Sequence, residues 1–349
     1  MTNQGYGNYP SYGGDPQGGD NPGYNGYNDY SGNNGYSEYS QFEVNSAEAL
    51  SGADAQRFHG TQFVDGYYGD GATPHPINDP TANGWTHTKG TGKLKVGQAV
   101  GWGFNAYQAN PGIWLIVGLV LAAIGLVSDL PALAAVGPLV SLVGIFLEPL
   151  FVSAGLQQTL TKNFKGIKTP AYGKTLGMLI VVSLLFGFIS GIVFLIGFLI
   201  AIPFMNLDPA LFEDPTAVQD PAAVAEVLGQ IAPGFIIGGL LVLLVLPFAV
   251  YPIFYAADNA GTFGNALGQG IKAGGRNYGQ TLLLVVILGA LTMLTAVPSL
   301  LTVTMGMNAW FSILLAFLLT VVISPLRFII GAHAYRQVSG GPVPHETTA

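Results

Sequence analysis

Residues Leu176 to Phe204 form a run of 29 residues without one Asp, Glu, Lys or Arg. At 1.5 Å per residue a helix of that length reaches ~43 Å, more than the ~30 Å hydrocarbon core of a bilayer. A buried helix of a soluble protein rarely sustains more than ~14 apolar residues. This run therefore asks for a lipid solvent. Comparable stretches are Ile113–Val127, Pro131–Leu150, Pro233–Ala257, Thr281–Val303 and Ala309–Ile330. Charged residues are 9% of the chain, against roughly 25% in an ordinary soluble domain. The expectation is an all-α integral membrane protein with six transmembrane helices.

The basic residues sort these spans by side. Lys89, Lys93 and Lys95 precede the first, and Lys162, Lys165, Lys168 and Lys174 separate the second from the third. Lys272 and Arg276 lie between the fourth and fifth, and Arg336 follows the sixth. The other connections carry no Lys or Arg, and the longest holds Asp208, Glu213, Asp214, Asp220 and Glu226. By the positive-inside rule this predicts a plasma-membrane protein with both termini cytoplasmic.

Residues 1–56 contain no Lys or Arg, and the first forty hold eight Tyr, ten Gly and seven Asn. A segment so poor in aliphatic side chains cannot bury enough surface to offset its ordering entropy. Three parts are expected: a disordered Tyr/Gly/Asn-rich cytoplasmic tail over 1–91, a membrane domain over 92–338, and a short cytoplasmic tail over 339–349. Tyr interleaved with Gly, Asn and Ser is the polar–aromatic pattern of weakly self-associating segments.

An internal repeat is the most specific pattern. Val96–Asn110 aligns without a gap on Phe263–Asn277, with identities Gly97/Gly264, Ala99/Ala266, Gly101/Gly268, Gly103/Gly270, Ala106/Ala273 and Asn110/Asn277. Val96/Phe263, Val100/Leu267 and Phe104/Ile271 fall on one helical face. Both copies read as amphipathic helices in the inner interface, with Trp102 and Tyr107 as anchors in the first. Their glycines permit close approach of another helix. The embedded Gly101-x-Gly103-x-x-Ala106 and Gly268-x-Gly270-x-x-Ala273 mimic a dinucleotide fingerprint but lack its strand and βαβ setting.

These stretches resemble a broad family of uncharacterised bacterial multi-pass membrane proteins, which includes the membrane domain attached to some glycerophosphodiester phosphodiesterases. The Tyr/Gly/Pro-rich leader before six spans is similar to actinobacterial proline- and glycine-rich transmembrane proteins. The resemblance spans roughly 93–338. It implies an integral membrane fold and supplies no catalytic residue; no phosphodiesterase domain accompanies it here.

Inside the spans, Glu148 beside Pro149 and Arg327 after Pro325 are the candidate pair, functional or structural. A charge at mid-bilayer costs at least ~2.5–3.5 kcal/mol, and Glu148 sits ~14 Å before Gln157 by helical rise. Asp258, Arg327 and His333 lie near the cytoplasmic ends, where hydration or snorkelling suffices. The pairs Asp208-Pro209, Asp214-Pro215 and Asp220-Pro221 read as helix N-caps rather than a calcium loop.

Net charge is −7 and there is no Cys, which argues against nucleic acid and removes thiolate chemistry. No catalytic triad, zinc spacing or phosphate loop is present. We expect no enzyme, no catalytic, cofactor-binding or metal residue, and no cofactor. The expected partners are the bilayer and, through the tail, membrane or envelope proteins. The expected role is a scaffold or assembly partner; the alternative is a transporter or lipid-handling protein using Glu148.

Overall fold

The structure, a computed structural model, describes residues 84–129, 135–207 and 221–346, with the short strands β1 (Arg57–Phe58) and β2 (Thr61–Gln62). The expected disorder before residue 57 and the residues Asp208, Asp214 and Asp220 lie outside the described residues.

The chain is mainly helical, and two corners organise it. Helix α1 (Val96–Ala109) meets α2 (Pro111–Asp129) at 101°, and α7 (Phe263–Arg276) meets α8 (Tyr278–Leu294) at 94°. The repeat is therefore a repeated shape. Each corner turns at the matched Asn, whose backbone N–H donates to the Ala four residues back, Asn110 to Ala106 and Asn277 to Ala273. Their side chains then hold neighbouring loops. Asn110 donates to the Phe164 carbonyl, while Asn277 accepts from the Leu94 N–H and donates to the Gly92 carbonyl.

Between and after the corners run α3 (Gly137–Leu160), α4 (Tyr172–Ala201), α5 (Pro221–Leu243), α6 (Pro252–Ala257), α9 (Val297–Met305), α10 (Ala309–Ile323) and α11 (Leu326–Ser339). Four helices are long and apolar enough to cross a membrane, or six when each corner counts as one span. Their interruptions follow proline chemistry: Pro203 and Pro247 sit in short 3₁₀ turns, and Pro325 caps α11. A proline removes a backbone donor and crowds the preceding turn.

Burial is concentrated at one end of the bundle. Every residue from Phe151 to Leu160 and from Phe328 to Gly340 is buried, as are Tyr251 and Phe254–Asp258. Most of α4 is not; it buries only Thr175, Met178, Phe186, Gly197 and Ala201. It packs along α5 through Phe194, Phe198 and Phe235, and an apolar helix that buries so few residues is suited to lipid on its remaining surface. The buried end, here called the base, is where α3, α6 and α11 terminate and where α1 and α7 lie across them. The matched small residues Ala99, Gly103 and Ala106, and Ala266, Gly270 and Ala273, face into it.

Two expectations are corrected. Strand β3 (Trp85–Lys89) pairs antiparallel with β4 (Pro342–Glu346), setting Trp85 opposite Glu346. Residues 84–91 thus belong to the folded part rather than to the tail, and 339–346 are no loose C-terminal tail. The cause is Trp85, 1% exposed, whose Nε1 donates to the Gln158 carbonyl at 3.1 Å. Trp102 is not an interfacial anchor either: it is buried and stacked on His333 at 4.8 Å.

Candidate functional site

The structure brings Glu148 and Arg327 together, Oε1 to Nη2 at 4.0 Å, with side chains 29% and 49% exposed. Arg327 also lies over the Phe328 ring, 4.6 Å from its centre. The helices that carry the pair change character there. Beyond Glu148, α3 runs on into the base. Two residues before it, the Phe146 carbonyl accepts from the Tyr172 hydroxyl at 2.8 Å. Tyr172 opens α4, so Glu148 is level with the start of the next apolar helix. The depth counted from Gln157 is corrected accordingly, because Gln157 is itself buried in the base, donating to the Gly166 carbonyl and accepting from Lys168 N–H. The pair marks the joint between apolar spans and base.

A second constellation lies inside the base, where sequence reasoning expected hydrated helix ends. Arg336 Nη1 donates to Asp258 Oδ2 at 2.8 Å, with both side chains at most 1% exposed. Tyr335 donates its hydroxyl to the same oxygen at 2.8 Å, and Arg336 Nε donates to Thr159 Oγ1 at 2.9 Å. Thr159 hands its own proton to the Leu156 carbonyl. Tyr255 packs edge-on against Tyr335, 4.9 Å between centres. Burial pushes the Asp258 carboxyl above the usual carboxylate range, and the Arg336 guanidinium and Tyr335 hydroxyl oppose that push.

The geometry of this hub follows from three prolines. Thr159 comes ten residues after Pro149, Asp258 eleven after Pro247 and Arg336 eleven after Pro325. In α3 and α11 the polar group follows the proline by about three turns, whereas Asp258 closes the six-residue α6, which opens at Pro252 after the 3₁₀ turn at Pro247. A signal was present in the sequence, three apolar runs each interrupted by proline and ending in a polar residue. It was missed because Arg336 was counted only as a loop cation.

A second polar chain ties the base to the N-terminal segment. The Lys95 N–H donates to Gln337 Oε1 at 2.6 Å, which fixes that amide, and Gln337 Nε2 then donates to His333 Nδ1 at 3.2 Å. His333 is thereby the tautomer whose Nε2–H donates to the Pro344 carbonyl. Trp85 and His87 reach the C-terminal end of α3, His87 Nε2 to the Thr159 carbonyl at 2.9 Å. Thus β3, β4, α3 and α11 are bound into one unit.

Among the described residues, no group of three His, Asp or Glu could hold a metal. A cavity of about 310 Å³ lies between α2, α9 and α10, lined by residues including Ala122, Gly125, Ser299, Phe317 and Thr320. It shares no residue with either constellation. The hub is suited to fixing helices against one another, and the Glu148–Arg327 pair is the only one of the two open to exchange. No family model matches the chain, and no curated protein or solved structure matches it.

Proposed function

We propose that this chain is a non-enzymatic plasma-membrane protein with six spans and both termini cytoplasmic, serving as a scaffold for other membrane or envelope proteins. Its base anchors the Tyr/Gly/Asn-rich N-terminal segment at the membrane surface. The observation that carries this reading is the seating of Trp85 and His87 against α3, beside β4. A segment with no role at the surface would need no such root. Six spans are supported by the gathering of the basic loops at one end. Lys162 lies 5.4 Å from the Trp85 ring centre, and Lys174 donates to Asn259 and Gly261 of the α6–α7 turn. The in-plane reading of α1 and α7 is supported by the two sharp corners and by exposed Phe104 and Phe263.

The test is deletion of residues 2–56 with co-purification in mild detergent. The scaffold reading expects an intact membrane domain that has lost its partners. An unaltered set of partners and unaltered localisation would remove it. Topology is read separately, by an impermeant thiol reagent on whole cells carrying Thr169→Cys or Thr216→Cys. Labelling at Thr216 alone is expected.

A transporter or lipid-handling role is the second reading. What favours it is the half-exposed Glu148–Arg327 pair, held at the joint of the spans by Pro149 and Pro325.

A further inference from the structure

We propose that the acidic stretch 36–83 of this chain rests electrostatically on a lysine surface of the base, which makes the availability of the N-terminal segment salt-dependent. The surface is built from Lys89, Lys93, Lys95, Lys165 and Lys168, all exposed. The ion pairs found among the described residues join Arg327 to Glu148 and Arg336 to Asp258, and none involves these five lysines. Asp258 is sealed inside the hub. The five ammonium groups therefore stand without a carboxylate on the base, on β3, on the 90–95 loop and on the 161–171 loop.

The complementary charge lies directly upstream. Residues 36–83 contain Glu38, Glu43, Glu48, Asp54, Asp65, Asp70 and Asp79 against one Arg57, a net charge of −6. The burial of Trp85 fixes the end of that stretch within the lysine surface, since Lys89 ends the same strand and Lys162 covers the Trp85 ring. Asp79 is six residues from Trp85 and Asp65 is twenty. Twenty residues of linker have a root-mean-square reach of about 25 Å, so these carboxylates are tethered close to the lysines around Trp85. Tethering supplies the effective concentration, and many weak pairs then act together. Each pair alone is weak and screened, with a Debye length of ~10 Å at 0.1 M salt and ~3 Å at 1 M.

Anionic lipid headgroups are the competing occupant, and the tether favours the chain's own carboxylates. The contact does not depend on whether the segment also recruits a partner, so partner loss on deletion is a separate outcome.

The chain has no Cys, so a dye pair of short Förster radius can be placed at Ser37→Cys, 48 residues before Trp85, and at Thr169→Cys in the full-length protein in neutral-lipid nanodiscs. Energy transfer between them should be high at low salt and fall at least about twofold near 1 M salt. It should fall equally at low salt when Lys89, Lys93, Lys95, Lys165 and Lys168 are all changed to Gln. Transfer indifferent to both salt and the Gln changes would overturn the proposal, leaving only a passive tether. Transfer already lost in nanodiscs containing anionic phospholipid would also overturn it, assigning the lysines to headgroups.

Discussion

Arg336 Nη1 and Asp258 Oδ2 stand 2.8 Å apart in a space from which solvent is excluded. Their helices approach the base from different spans, so the pair fixes α11 against α6, while Thr159 adds α3. Two charges withdrawn from water are costly singly and tolerable together. Arg336→Met should therefore lose about 3–5 kcal/mol, since it strands a buried carboxylate. Adding Asp258→Leu should recover most of the loss, as hydrophobic replacement of a whole buried pair is often neutral. Unfolding in detergent measures both. A double variant as unstable as the single one would show that the hub does more than balance charge.

Glu148 and Arg327 are the contrasting case. At 4.0 Å and with both side chains partly exposed, the pair has little to lose. Glu148→Gln should cost under about 1 kcal/mol in the same unfolding measurement. With stability unaffected, its phenotype becomes informative. Loss of a growth or transport phenotype in a folded Glu148→Gln protein would favour the transporter reading over the scaffold.

The apolar helices were legible because a 29-residue uncharged run admits few other homes, and the repeat because its Gly, Ala and Asn recur at one spacing. Glu148 and Arg327 were paired as charges within the spans, not by depth, since counting from Gln157 set Glu148 deeper than Arg327. The hub was hidden by the same counting. Hydropathy marks where an apolar run stops, and Asp258, His333 and Arg336 fall where runs stop. Whether a helix continues past that point into water or into protein is decided by what packs on it, here α1, α7 and the β3–β4 ribbon. The ribbon was hidden too, because Trp85–Lys89 is five residues long and its partner lies 253 residues or more away.

His345 gives the ribbon a pH dependence. Its Nε2 lies 2.7 Å from Thr88 Oγ1, across the pair of strands. Partial burial first, and then the nearby Lys95 ammonium, hold its pKa below the ordinary 6.5. The unfolded chain thus binds the proton more readily, and stability rises with pH over that interval. The contribution is complete above about pH 6.5 and is lost as pH falls through the folded-state value. Amide exchange at Thr86, Thr88 and Val343, corrected for intrinsic rates, should show weaker protection on acidification. His345→Gln should flatten that dependence. Equal pH dependence in the variant would place the sensitivity elsewhere.

The matched glycines of the two corners should respond unequally to the same change. A methyl at Gly103 would overlap Cγ1 of the buried Ile330, so a side chain must give way; at Gly270 it would overlap the Pro252 backbone and ring. Pro252 begins α6 and is itself buried, so yielding there means separating two helices. Overpacking of a tight contact costs typically ~1–3 kcal/mol, and more where backbone must move. Gly270→Ala should therefore destabilise more than Gly103→Ala, although sequence alignment makes them equivalents. Gly97, Gly101, Gly264 and Gly268 have nothing within 4 Å of the added methyl. Alanine at these open helical positions should be neutral or gain up to ~1 kcal/mol from helix propensity. Unfolding of the six single variants in one detergent gives the ranking. If Gly97→Ala or Gly264→Ala proved as damaging as Gly270→Ala, those open faces would be covered in the membrane by something that needs the glycines bare.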